Sequence, residues 1–372
     1  MIMTETVTLF SLLLVEMCLA LMLVTNSRKT IVIDRIEDTA SPEEKGNTSM
    51  PDISATQGAP APIPEKRPEE EDLPSPAIRR ESVLGADPFT VLALSIQGRG
   101  HLLDNIPCQD YHLIESVGDK MLLVVVSDGA GSKANADSGS RIVCERFAHH
   151  LKDAVLKLQW SKDHLPDEPV WDGVFRKVVE LIQRDLAIYA EENDGVSFSS
   201  LAATLTALLI TPKKIFSGHV GDGRAGILTS DGWVDVITPH KGSEAHQTVF
   251  VTNKILDPGF TVSDVPVPET RIINATALAF VAMSDGCENG LWKTQRKEDL
   301  PDGDYRYISM NEPFAPALNH IIGLLSAHDD DQQRKDLFLT IIDRYNRPLK
   351  NEKDDKTLCI GFMPSATDNN KK

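Results

Sequence analysis

Two apolar runs in this chain stop at the same pair of residues. VVVSDGAGS ends one at Asp128-Gly129, and FVAMSDGCEN ends the other at Asp285-Gly286. Both runs read as buried strands, and a carboxylate at the point where such a strand emerges is either a turn residue or part of a site at the end of a sheet. A single ending of this kind is ordinary. Two of them, with Cys108-Gln109-Asp110 before and Asp354-Asp355-Lys356-Thr357 after, can gather several carboxylates in one cleft, a donor set suited to a hard divalent cation.

The rest of 89–365 supports that frame. Short apolar runs at Thr90–Ile96, Tyr111–Glu115, Met121–Ser127, Ala203–Ile210, Ile215–Val220, Ala225–Thr229, Trp233–Ile237 and Leu278–Ser284 predict strands, and Thr357–Phe362 a last one. Links as short as Thr211-Pro212-Lys213-Lys214 and Ser230-Asp231-Gly232 make neighbouring strands antiparallel. Val143, Phe147, Leu151 and Val155 form one helical stripe and Trp171, Phe175, Val178, Ile182 and Tyr189 another, so two helices cover a sheet face. A further helix pair is expected in 313–345. Segments 240–268 and 293–311 show no clean period and read as excursions near the site.

Upstream the chain changes character. Val7–Val24 is apolar for about one bilayer crossing and broken only by Glu16 and hydroxyl residues. Arg28, Lys29 and Arg35 follow it with nothing basic before, so residues 1–30 are expected to be a single-pass anchor in the inner, cytoplasmic membrane with the bulk of the chain in the cytoplasm. Residues 31–88 are rich in Pro, Glu, Asp and Ser, lack aromatics and read as a disordered linker, and 366–372 as a polar tail. The net charge of −17 argues against nucleic acid as a partner. Five scattered cysteines without a CxxC pair indicate neither a disulfide framework nor a zinc knuckle.

Taken in order, CQD (108–110), SDGAGS (127–132), SLAATL (200–205), GHVGDGRAG (218–226), MSDG (283–286) and DDKT (354–357) resemble the motifs of the metal-dependent PPM or type 2C Ser/Thr protein phosphatases, in the short bacterial branch that carries CQD and DDKT. The resemblance implies an α+β fold, a four-layer α-β-β-α sandwich of two antiparallel sheets flanked by helices. It also implies a binuclear Mn²⁺ or Mg²⁺ centre at one end of the sandwich, with a third ion in some cases. Carried over, Asp128 bridges both metals, Gly129 offers its carbonyl, Asp285 and Asp354 bind one metal, Asp110 sits at the other through water, and Asp222 helps hold a third ion. The resemblance favours Asp354 over Asp355, because Asp354 lies three residues before Thr357 as the metal-binding aspartate does in the family's DN-x-T. Arg99 and His101 lie where relatives hold a basic phosphate-binding residue.

The chemistry wants such residues independently of the family. A phosphate monoester is a dianion that repels nucleophiles, and paired cations both neutralise it and activate water for in-line attack. Each residue also has a plainer reading: the aspartates as turn residues, His101 as structural, Arg99 as solvated. Two departures stand out, since Gln109 is neutral where many relatives have Glu, and Ala130 replaces a histidine, leaving the general acid unassigned. The expected function is hydrolysis of phosphoserine and phosphothreonine on protein substrates, opposing a Ser/Thr kinase. The alternative is a catalytically silent phosphatase-like module that binds a phosphoprotein or kinase at the membrane. An aspartyl-nucleophile phosphatase is disfavoured because DGAGS lacks a DxDx pattern.

Overall fold

The computed structural model describes residues 75–241, 248–300 and 304–364. The expected membrane anchor, most of the linker and the polar tail lie outside the described residues, and among the described residues no helix is long and apolar enough to cross a membrane.

In chain order the strands are β1 (Ile78–Ala86), β2 (Phe89–Ile96), β3 (Tyr111–Ser116), β4 (Leu122–Ser127), β5 (Leu205–Ile210), β6 (Ile215–Val220), β7 (Arg224–Thr229), β8 (Gly232–Asp235), β9 (Thr261–Val262), β10 (Val265–Pro266), β11 (Glu269–Ile273), β12 (Ala279–Met283), β13 (Trp292–Asp299), β14 (Tyr305–Pro313) and β15 (Lys356–Phe362). The helices are α1 (Arg99–Asp104), α2 (Ala136–Lys157), α3 (Glu168–Glu192), α4 (Glu288–Leu291), α5 (Ala315–Ser326), α6 (Asp331–Thr340) and α7 (Arg347–Lys350), with a π-helical turn at Ile341–Tyr345. Two antiparallel sheets dominate, one ordered β1-β2-β15-β12-β7-β8 and the other β11-β6-β5-β4-β3.

Period-two alternation explains why nearly every residue of the central strands is buried. In β4, Leu122, Val124 and Val126 join the core formed with Phe89, Val91, Ile227 and Phe280 of the other sheet, whereas Leu123 and Val125 point the opposite way. That second face packs on Val143, Phe147 and Leu151 of α2 and on Trp171, Phe175 and Ile182 of α3. The six-stranded sheet likewise sends Leu92, Leu94, Val281 and Leu358 against Leu318, Ile321 and Leu325 of α5 and Phe338 of α6. Strands covered on both faces carry continuous apolar runs, so the Asp at the end of each stands out in the sequence.

Register places those ends together. The terminal pairs are Tyr111↔Ser127, Leu205↔Val220, Arg224↔Met283, Met283↔Leu358 and Lys356↔Ile96. Residues 98, 110, 128, 222, 285 and 354 therefore all leave the sheets at one end of the sandwich. A cavity of about 420 Å³ lined by Phe89, Ser116, Leu122, Ile210 and Met363 lies at the opposite end, away from these carboxylates.

Two expectations are corrected. The linker does not run to residue 88, because Ile78–Ala86 pairs with β2 as an edge strand. Its sequence IRRESVLGA carries no aromatic and none of its residues is fully buried, since an edge strand buries only part of its surface. The segment 293–311 is not an irregular excursion but most of the regular β13–β14 hairpin, in register from Gln295↔Ser309 to Asp299↔Tyr305. Tyr305 and Tyr307 are exposed on it, so no buried face imposed the alternation that would have announced strands.

Candidate metal centre

Asp110 precedes β3 directly and is fully buried. Its Oδ2 accepts a 2.6 Å hydrogen bond from Ser284 Oγ, while Oδ1 has no hydrogen-bond partner among the described residues. Ser284 in turn accepts from the Thr357 amide at 2.9 Å, so one hydroxyl ties β12, β15 and the segment before β3 together. Asp128 follows β4 and is fixed through its backbone: its amide donates to Thr204 Oγ1 at 3.0 Å and its carbonyl accepts from the Thr204 amide at 2.8 Å. A Cβ at Gly129 would lie 2.5 Å from Ala136 O and 2.8 Å from Gln109 O, so only glycine fits that slot. At Gly286 a Cβ would overlap the Asp355 carbonyl, which explains the glycine of the second Asp-Gly pair.

The electrostatics report convergence directly. Burial, reinforced by the charges of Asp110, Asp285, Asp354 and Asp222, holds the Asp128 carboxyl well above the usual range. Burial likewise raises Asp110, with Asp355 and Asp354 adding to it and the Ser284 bond opposing. Asp285 is pushed up to about 7, first by burial, then by Asp222, Asp354 and Glu288, against a lowering by Lys241. Its Oδ1 is also buried without a hydrogen-bond partner among the described residues. Asp354 is raised by burial, but its side chain is 49% exposed, so solvent screens its share. Like charges held this close in a low-dielectric site are costly unless a cation joins them.

The donor set is therefore oxygen only, with orphaned carboxylate oxygens on Asp110 and Asp285 and a backbone slot at Gly129. Such a set fits Mg²⁺ or Mn²⁺. Its ligand atoms are spread: among the described residues, the groups with all ligand atoms within 4.8 Å are His101–Asp354–Asp355 and His219–His240–Glu269. The second is largely engaged by protein contacts, since His240 accepts from the Gly221 amide and faces Pro266 O, Glu269 holds Thr238 and Arg271, and His219 Nε2 meets Thr238 O, while His219 Nδ1 lies 3.4 Å from Glu269 with no hydrogen-bond partner among the described residues.

Asp222 joins the set from the β6–β7 turn but is already engaged. Thr248 Oγ1 donates to it at 2.8 Å, and Lys241 Nζ lies 4.0 Å away. Lys241 also approaches Glu288 at 3.4 Å, and Arg224 pairs with Glu288 at 2.7 Å, so a small ion-pair network borders Asp222.

The two basic candidates part company. His101 lies in α1 with Nδ1 2.9 Å from Asp355 Oδ2, off the line of a straight hydrogen bond, and Nε2 4.0 Å from Asp354. That Asp355 contact, against burial, raises the imidazole above its usual value. Nε2 faces Gly131, where a Cβ would sit 3.6 Å from it. Arg99 instead pairs with Asp343 at 3.1 Å, which ties its guanidinium to the π-helical turn rather than to the carboxylate cluster.

Asp355 was not singled out from the sequence, yet it organises the site's frame. It is buried, with Oδ1 accepting from the Gly98 amide at 2.7 Å and Oδ2 from the Gln109 amide at 2.5 Å. Consecutive side chains of extended backbone point opposite ways, so of an Asp-Asp pair before a strand one faces the cleft and the other the interior. The doublet itself was the available signal.

A family model described as protein phosphatase 2C matches residues 97–333 of the chain. Serine/threonine-protein phosphatase 3 of Escherichia coli (strain K12) is 24% identical over 275 residues, covering 72% of this chain and 96% of that protein. Among solved structures, the serine/threonine phosphatase of S. agalactiae is 14% identical with a TM-score of 0.46, covering 74% of this chain and 99% of that one. Stp1 from Staphylococcus aureus is 17% identical with a TM-score of 0.43, covering 73% and 94%.

Proposed function

From a chain that belongs to the protein phosphatase 2C family, we propose a metal-dependent protein phosphatase that hydrolyses phosphoserine and phosphothreonine at the cluster of Asp110, Asp128, Asp285 and Asp354. One observation carries the reading: carboxylates from the ends of both sheets raise one another's pKa and keep buried oxygens unpartnered. We read the sheets and their outer helices as the four-layer α-β-β-α arrangement that the motifs imply.

Asp128, Asp285, Asp354 and the Gly129 carbonyl would hold two divalent cations, with Asp110 beside them and Asp222 at a third. Bound there, such cations supply Lewis-acid charge that neutralises phosphoryl oxygens and lowers the pKa of water. The chain's own residues set the geometry. Ser284 and Asp355 lock the strands that carry the acids, so the ligand oxygens are held before an ion or substrate arrives. When protonated, His101 would present an Nε2–H beside Asp354, placed to recognise a phosphoryl oxygen. Arg99 serves the frame through Asp343. The silent-module alternative is weaker, because without cations the buried orphan oxygens would be a standing cost.

We also propose that Val7–Val24 anchors the domain to the membrane and that phosphorylated proteins opposite a Ser/Thr kinase are its substrates. The support is the apolar run with Arg28 and Lys29 on one flank. The test is phosphate release from a phosphothreonine peptide by the full chain. Activity should require Mn²⁺ or Mg²⁺ and vanish in Asp128→Asn, and equal activity with excess chelator overturns the proposal.

A further inference from the structure

We propose that Arg79, on the edge strand β1, is a positioning residue for the carboxylate cluster, so that the strand joined to the linker forms part of the site's frame. The inference rests on the proposed metal centre. β1 lies upstream of the family match, which starts at residue 97.

The geometry begins with a bulge. β1 pairs Ile78 with Ile96 but Arg80 with Ser95, leaving Arg79 as the extra, unpaired residue. Strict alternation would send Arg79 and Arg80 to opposite faces, and a bulge re-aims one side chain. Both guanidinium groups consequently lie over the same Tyr111 ring, at 5.1 and 4.9 Å from its centroid. They then diverge. Arg80 Nη1 donates to Tyr111 OH at 2.6 Å, whereas Arg79 reaches deeper and donates from Nη1 to Cys108 O and from Nη2 to Asp137 O, each at 2.6 Å.

Those two carbonyls flank the slot that holds Gly129. One wall of the slot is Gln109 O and the other is Ala136 O. Cys108 and Asp137 are the neighbours of these walls, so one planar guanidinium spans both sides. Asp110 leaves the first wall directly, and Asp128 enters the slot from β4. Fixing the separation of the walls fixes where the Gly129 carbonyl and the Asp110 and Asp128 carboxylates sit relative to one another. A lysine has a single donor head and cannot reproduce the two-carbonyl fork.

The experiment compares full-length wild type, Arg79→Ala, Arg79→Lys and Arg80→Ala. Arg80→Ala is the control, because it loses a cation and the Tyr111 contact without touching the slot. Three quantities are read: Mn²⁺ binding by calorimetry, kcat and KM on a phosphothreonine peptide, and melting temperature. For Arg79→Ala the expectation is about tenfold weaker Mn²⁺ binding and about tenfold lower kcat, with peptide KM within about twofold, as loss of two charge-assisted hydrogen bonds around a ligand set implies. Arg79→Lys should show a smaller loss in the same two quantities, and Arg80→Ala should lower only the melting temperature. If Arg79→Ala does not fold, Arg79→Lys carries the test, and wild-type Mn²⁺ binding and kcat in that variant overturn the inference. Equal behaviour of Arg79→Ala and Arg80→Ala overturns it as well. A wild type that binds no Mn²⁺ overturns the proposed metal centre and this inference together.

Discussion

Asp285→Asn should make the metal-free protein more stable while abolishing its response to metal. The Asp285 carboxyl is raised from 3.8 to about 7, with burial as the first cause and the charges of Asp222, Asp354 and Glu288 behind it. A carboxyl whose folded pKa lies above its unfolded value stabilises the fold only while protonated. That contribution is complete below 3.8 and is lost as pH rises through 7. Above pH 7 the full difference would be on the order of 4 kcal/mol, and sharing of charge within the cluster brings the expected penalty to about 2–4 kcal/mol. Asparagine keeps the shape and removes the charge, so in chelator at pH 8 the variant should melt about 5–10 °C above wild type. At pH 5.5 the folded carboxyl is protonated but the unfolded one is still ionised, so the gap should shrink to about half and close only as pH falls below 3.8. Mn²⁺ at about a hundred times its dissociation constant should return about 2.7 kcal/mol to wild type and far less to the variant, which should also lose peptide phosphatase activity. Scanning calorimetry in four conditions, pH 5.5 and 8 with chelator or Mn²⁺, decides the matter. A variant that melts below wild type in chelator at pH 8, or gains as much from Mn²⁺, refutes the reasoning.

The adjacent aspartates should separate cleanly: Asp354→Asn should lose Mn²⁺ binding with little change in melting temperature, whereas Asp355→Asn, which weakens acceptance from the Gly98 and Gln109 amides and removes the charge facing His101, should cost about 3 kcal/mol or more in denaturant unfolding. Burial holds His112 down to about 3 and His240 to about 4, so the unfolded chain binds more protons below its own value near 6.5 and stability falls as pH drops through that window. Between pH 7.5 and 5 each histidine should cost about 2 kcal/mol, and the difference in pH dependence between wild type and His240→Asn, in which the shared carboxylates cancel, should show one such share. Residues 1–30 should carry the full chain into the membrane fraction and their deletion should release it, measured by fractionation and alkaline extraction, and a full chain that stays in the supernatant counts against the anchor.

The strand ends were legible because a doubly covered strand needs apolar residues on both faces, which makes a terminal Asp-Gly conspicuous in VVVSDG and AMSDG. Asp355 was half legible, since the doublet announced that one acid faced inward without saying what it would hold. The β13–β14 hairpin and β1 were not legible, because exposed faces demand no alternation and neither segment carries a continuous apolar run. Arg79 was the least visible of all, one charge in a basic pair whose role depends on a bulge.

The chain alone determined which residue types could meet: hard oxygen donors, each one or two positions before or after a buried run, and a glycine where backbone must approach backbone. Only the tertiary structure decided which of them share a space and which are occupied elsewhere, sending His101 to the rim, Arg99 to Asp343 and Arg79 to two distant carbonyls. The physical reason is range. Burial and periodicity are imposed residue by residue along a strand, whereas ion pairing and slot width depend on register between segments far apart in the chain.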